Sequence, residues 1–185
     1  MTFLMSLDSG ILLFLQEHVR SELWTPFWTG ITFLAEGGWM WIVLSLALLI
    51  PRRTRTTGIT ALISMAVGFL FTNLILKNLV ARIRPYDAID ALTILVSAPR
   101  DYSFPSGHTT VSFSCAMVLF FTLPRRYGIP ALVPAVLIAF SRLYVGVHYP
   151  TDVLGGMFIG IFAAAMTVYA VKRYCMQKSH NISSM

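Results

Sequence analysis

An all-α, polytopic transmembrane helical bundle is the fold class that this chain of 185 residues predicts. Three observations predict it. Hydrophobic residues make up 56% of the sequence and charged residues only 12%, with a mean hydropathy of +0.71, too apolar for an ordinary soluble domain. Apolar runs free of charge recur along the chain, separated by Pro, Gly and Arg. Basic residues gather in alternate connectors, the signature of a chain that threads a bilayer repeatedly.

The N-terminal segment, residues 1–35, places Leu4, Leu7, Ile11, Leu15, Val19 and Leu23 at helical spacing against Asp8, Gln16, Glu17 and Arg20. That pattern predicts an amphipathic helix lying on the membrane interface. Its start lacks the basic residues and cleavage site of a signal peptide, so it is expected to remain in the mature chain. A crossing here would raise the span count to six, but a charge at the bilayer centre costs at least ~2.5 kcal/mol.

Five core spans follow, at about 38–50, 58–76, 104–123, 129–147 and 150–171, the first reaching back past Gly37 and Gly38 toward Ile31. Residues 36–173 thus form the membrane-embedded domain, and 174–185 a short tail. Cys115 and Cys175 fall on different segments and predict neither a metal site nor a disulfide framework. Aromatics such as Trp39, Trp41, Tyr144 and Tyr149 are expected in an interfacial belt.

The connectors at 51–55 and 124–126, with Lys172, Arg173 and Lys178 at the C-terminal end, carry eight of the 14 basic residues and none of the acidic ones. The positive-inside rule makes these the cytoplasmic ends. The opposite, outward ends then hold three polar clusters. In the first, Lys77 and Arg84 stand seven residues apart, close to two helical turns, so a continuous helix would project both from one face before Pro85 ends it. Arg82 and Arg100 are read as interfacial, and Asp87, Asp90 and Asp101 as solvated loop acids.

The second cluster is Tyr102 to His108. Pro105 suits a first helical turn with Ser103 as its cap, so Ser106, Gly107 and His108 would offer free amides at the positive end of a helix dipole, a natural anion site. In the third, His148 and Asp152 lie four apart at a helix start near Pro150, where a carboxylate can hold an imidazole N–H. Arg142, ahead of a break at Gly146, points toward the same pocket. Gly155, Gly156 and Gly160 are expected to pack helices. An imidazole with an ordinary pKa near ~6.5 can serve as nucleophile or as acid, and fixed cations and amides can stabilise a phosphoryl transition state.

K-x6-R-P at Lys77–Pro85, P-S-G-H at Pro105–His108 and S-R-x5-H-x3-D at Ser141–Asp152 together resemble the three-part signature of the type 2 phosphatidic acid phosphatases, integral-membrane lipid phosphatases related to vanadium haloperoxidases. The resemblance covers roughly residues 28–171. It implies that His148 is a nucleophile forming a phosphohistidine, that Asp152 orients it, and that His108 is the general acid. It implies further that Lys77, Arg84, Arg142, Ser106 and the Gly107 amide bind the phosphoryl oxygens.

The expected activity is hydrolysis of a lipid phosphate or diphosphate, with undecaprenyl diphosphate, phosphatidylglycerol phosphate and phosphatidate as candidates, on the outer face of the cell membrane. No metal or other cofactor is expected, and no nucleic-acid partner; the partners are the lipid substrate and membrane lipids. A carrier that binds a lipid phosphate without cleaving it is the alternative of another class, disfavoured because binding alone has no need of an imidazole backed by a carboxylate. A vanadate-dependent haloperoxidase shares the pocket logic but fits poorly with five spans.

Overall fold

The computed structural model describes residues 3–183, and every regular element among them is a helix. In chain order these are α1 (Phe3–Phe14), prolonged by a π-helical turn over Leu15–Val19; α2 (Thr25–Leu34); α3 (Trp39–Ala47); and α4 (Arg55–Leu70), prolonged by π-helical Phe71–Leu76 and by α5 (Lys77–Val80). Then come α6 (Pro85–Ala88), α7 (Gly107–Thr122), α8 (Arg125–Gly128), α9 (Leu132–Tyr144) and α10 (Pro150–Ser183).

Among the described residues, Arg55–Ala88, Arg125–Tyr144 and Pro150–Lys178 are each long and apolar enough to cross a membrane. Thr25–Leu34 and Glu36–Ala47 qualify only as a pair, bent by 46° at the break between them. The bend has a local cause: Gly37 (φ 58°) and Gly38 (φ 71°) both take left-handed backbone, which only glycine adopts without penalty. The first apolar element therefore begins at Thr25, well before the predicted start. By length and composition the helices supply three or four crossings where five or six were predicted. The shortfall is α7, whose 16 residues make a rod of about 24 Å, less than the ~30 Å hydrocarbon layer.

α7 can be short because it is surrounded. α4, α9 and α10 pack around it, and it buries Thr109, Ser112, Ser114, Cys115 and Val118 alike. Small polar side chains are satisfied inside: Trp41 Nε1 donates to Ser112 Oγ at 2.9 Å, Ser64 Oγ to the Ser114 carbonyl at 3.2 Å, and Thr72 Oγ1 to Thr110 Oγ1 at 3.2 Å. Interhelical contacts of this kind replace the hydrophobic drive that lipid removes. α10 presses closest. A Cβ on Gly156 would stand 2.6 Å from the Ser106 carbonyl oxygen, and one on Gly160 2.6 Å from that of Thr110, so both glycines are packing residues. The other face of α10 exposes Phe158, Phe162, Met166 and Tyr169 at helical spacing, a surface suited to lipid.

Two expectations change. Trp41, Tyr144 and Tyr149 are buried in the bundle, leaving Trp39 as the exposed one of the four aromatics named for the belt. The predicted N-terminal helix is two helices, and the first has its polar side turned inward: Asp8 is buried while Leu4, Leu7 and Ile11 are exposed. Arg20 explains the stop between them, since its guanidinium bonds the Tyr144 and Thr93 carbonyls, both at 2.7 Å. At the other end α10 continues through Ser183, past the predicted start of the tail; the final two residues lie outside the described ones.

Candidate active site

Lys77, Arg84, Gly107, His108, Arg142 and His148 line one cavity of about 720 Å³. Six of the eight predicted site residues therefore meet in one space, and the other two stand directly behind it. Asp152 backs His148, and Ser106 is fully buried with its hydroxyl accepting a hydrogen bond from Thr109 Oγ1 at 3.0 Å.

Lys77 and Arg84 converge by a route that differs from the predicted two helical turns. The helix stops at Val80 because Ala81 adopts left-handed backbone (φ 47°), and the chain runs extended to Arg84 before Pro85 opens α6. Unwinding swings both cations onto one acceptor, Asp101: Lys77 Nζ pairs with Oδ2, and Arg84 Nη2 with Oδ1 at 2.6 Å. Arg84 is fixed further by the Asp101 carbonyl (Nε, 2.7 Å) and the Val147 carbonyl (Nη1, 2.8 Å). Asp101, expected to be solvated, is thus a site residue. Partial burial pushes its carboxyl up, but Lys77 and Arg84 outweigh that and bring it to about 2.

The α7 end also departs from expectation. Ser106 occupies the cap position and Gly107 starts the helix, with Pro105 outside it following a cis peptide. Ser103 is drawn away from capping because its hydroxyl donates to Asp152 Oδ2 at 2.5 Å, and the Ser106 amide donates to the Asp152 carbonyl at 3.0 Å. No side chain caps the first turn, so its N–H groups leave a positive end open at the cavity. His108, in that turn, has Nε2 buried without a hydrogen-bond partner and 3.6 Å from Glu36 Oε2, an acid at the α2–α3 bend.

His148 sits in the short crossing from α9 to α10, where Gly146 (φ 82°) makes the turn and Pro150 starts the helix. The ring is fully enclosed. Nδ1 lies 3.5 Å from Asp152 Oδ2, while Nε2 lies 3.5 Å from Arg84 Nη1 on the cavity side. Burial pushes the imidazole pKa down, Asp152 pulls it up, and Arg84 and Arg142 push it down again, leaving it at about 4. The ring is consequently neutral at physiological pH, with Nε2 available as a lone-pair donor. Arg142 donates from Nη1 to Thr32 Oγ1 at 2.5 Å, which steers it from α9 toward α2, and its Nε has no partner.

Arg82 is no interfacial residue. Its guanidinium bonds Asp152 Oδ1 (2.6 Å), Thr151 Oγ1 (2.6 Å) and Asp8 Oδ2 (2.7 Å), and it lies 4.0 Å from the centre of the Tyr149 ring. Sequence reasoning missed Asp101, Glu36 and Asn73, which line the cavity, and Arg82 and Asp8, which connect to it from behind through Asp152. Among the described residues, no three His, Cys, Asp or Glu side chains gather as a metal cage.

A cavity walled by three cations, an open helix start and two imidazoles, one of them backed by a carboxylate, suits an anionic phosphoryl group. Similar proteins agree with that chemistry. An undecaprenyl-diphosphatase of Sulfolobus acidocaldarius is 36% identical over 138 residues, 74% of this chain and 66% of that protein. A decaprenylphosphoryl-5-phosphoribose phosphatase of Mycobacterium tuberculosis is 35% identical over 135 residues, 70% of this chain and 69% of that one. Among solved structures, a transmembrane PAP2-type phosphatidylglycerolphosphate phosphatase of Bacillus subtilis superposes with a TM-score of 0.74 at 28% identity, covering 96% of this chain and 88% of that one. Residues 57–175, which hold all three motifs and every predicted site residue, match the PAP2 superfamily, and the chain belongs to that family.

Proposed function

We propose that the chain is a membrane lipid phosphate phosphatase working through a phosphohistidine. The observation that carries this reading is the two-sided setting of His148, with Nδ1 toward Asp152 and Nε2 toward Arg84 and the cavity. In the first step Nε2 attacks phosphorus, the bond from phosphorus to the leaving oxygen breaks, and His108, protonated when the anionic substrate is bound beside it, gives that oxygen its proton. Asp152 stabilises the positive ring so formed. In the second step neutral His108 accepts a proton from water, the hydroxide attacks phosphorus, and phosphate leaves with the P–N electron pair returning to His148. Lys77, Arg84, Arg142 and the open start of α7 with the Gly107 amide hold the equatorial oxygens throughout, and Ser106 stands directly behind them at the cap position of that helix. Fixed cations supply the charge stabilisation, so no metal is assigned a role.

The substrate is a lipid phosphate or diphosphate such as undecaprenyl diphosphate, phosphatidylglycerol phosphate or phosphatidate. Its headgroup enters the cavity and its tail lies sideways along apolar Phe33 and Phe69 at the rim. In this reading the chain makes five crossings, the first beginning at Thr25 and α7 being the short one, with the segment before Thr25 on the interface, the C-terminal end in the cytoplasm and the site on the extracytoplasmic face. The basic connectors at 51–55 and 124–126 support that orientation. The test is phosphate release from purified protein with each of the three lipids. His148→Ala abolishes turnover and the acid-labile phosphate trapped on the wild-type chain, whereas full turnover by that variant overturns the reading.

A further inference from the structure

A hydrogen-bonded chain runs from Asp152 through Arg82 into a helix that the family match leaves out. Asp8 belongs to α1, outside residues 57–175, yet it is buried and fully engaged. Its Oδ1 accepts from the Thr151 amide at 3.1 Å, and its Oδ2 accepts from Thr151 Oγ1 at 2.5 Å and from Arg82 Nη2 at 2.7 Å. The other arm of Arg82 reaches Asp152 Oδ1 at 2.6 Å. Arg82 is thus one cation shared by two carboxylates, and one of them is the partner of His148. Asp152 Oδ2 completes the chain with bonds from Ser103 Oγ and the Tyr149 amide and with its 3.5 Å approach to His148 Nδ1.

We infer that Asp8 and Arg82 are positioning residues for the His148–Asp152 pair, setting both the place and the effective charge of Asp152. This rests on the phosphohistidine reading above. A guanidinium bound to Asp152 alone would neutralise most of the charge that must stabilise the imidazolium. Asp8 draws part of that cation away and leaves Asp152 a graded negative charge. Holding a histidine's carboxylate in this way is the kind of support whose loss typically costs about 10–100-fold in activity. The other charged groups facing His148 are Arg84, paired with Asp101, from the chain between α5 and α6; Arg142 from α9; and His108 from α7. Lys77 stands beside Arg84 on Asp101, and Glu36 beside His108. None of these touches Asp8 or Arg82, so they are common to every variant compared.

Opposite charges at the two positions give opposite signs, which anchoring alone does not. The readout is the pH profile of kcat/KM for undecaprenyl diphosphate in detergent micelles, using full-length protein and following the acid limb where His148 takes up a proton. Asp8→Asn hands Arg82 wholly to Asp152, makes the imidazolium harder to form, and moves the limb to lower pH. Arg82→Gln leaves Asp152 bare and moves it to higher pH. Arg82→Lys keeps the charge and returns the limb toward the wild-type position, although one ammonium cannot span both carboxylates and kcat stays about 10-fold or more below wild type. Each value is normalised to the folded fraction from size exclusion and thermal unfolding. Limbs that stay at the wild-type pH in both Asp8→Asn and Arg82→Gln, or that move together, overturn the inference and leave α1 a purely structural clasp. A control separates the two levels: turnover by His148→Ala sinks the phosphohistidine reading itself and the inference with it.

Discussion

His148 combines two features that ordinarily oppose each other, full burial and readiness to become charged. Burial and the neighbouring arginines favour the neutral ring, with its pKa at about 4 against an ordinary 6.5, so the form that the proposed attack requires persists well below neutral pH. The sign follows: attack needs the unprotonated ring, so the His148 limb of kcat/KM falls away near pH 4 rather than near 6.5, once the ionisation of the lipid phosphate is divided out. Asp101 poses the complementary problem. Its carboxylate occupies the two cations, Lys77 and Arg84, that are proposed to bind the phosphoryl group, and at about 2 it remains ionised throughout the assay range. It is half-exposed, so its repulsion of an incoming phosphate is screened to about 1 kcal/mol. Asp101→Asn is therefore expected to tighten competitive inhibition by inorganic phosphate about fivefold, measured as Ki.

At the scale of elements, the site depends on how closely α10 approaches α7, because the two helices carry Asp152 and His108 in their first turns. The approach is made by backbone against glycine. A Cβ on Gly160 meets the Thr110 carbonyl oxygen, the Phe113 Cβ and the Ser114 amide nitrogen, all under 3.0 Å and none on a flexible side-chain tip, whereas a Cβ on helical Gly30 meets nothing within 4 Å. Gly160→Ala is expected to cost about 1–3 kcal/mol by forcing the helices apart. Gly30→Ala is expected to stabilise by about 0.4–1 kcal/mol by restricting the unfolded chain. Thermal unfolding in detergent should show the two melting temperatures moving in opposite directions, and activity should fall only in the first.

For the molecule as a whole, the chemistry was more legible in the sequence than the route by which it assembles. Lys77, Arg84, His108, Arg142 and His148 were readable because they stand in three motifs that together resemble one family's signature, and they do line one cavity. The left-handed turn at Ala81 was not readable, since nothing in Asn78–Ile83 demands it; the tertiary pairing with Asp101 does. Asp8 was hidden for a related reason. Its position on the polar side of an amphipathic helix reads the same whether that side meets water or, as here, Thr151 and Arg82. Partners so remote along the chain leave no local pattern, and the apolar face that points to lipid gives only the direction in which to look.

The length of α10 sets a scale of a different sort. From Pro150 to Ser183 it runs 34 residues, about 51 Å, with Asp152 near one tip. A hydrocarbon layer of ~30 Å leaves some 20 Å of rod standing clear of the far side. A green fluorescent protein joined to its end is accordingly carried on a stiff mast, too far away to disturb hydrolysis, and should glow only if the mast rises into the cytoplasm. Fluorescence with undiminished turnover is the expected result, and a dark but active fusion would reverse the proposed orientation. One helix thereby offers two handles on the same protein, its chemistry at the foot and its topology at the masthead.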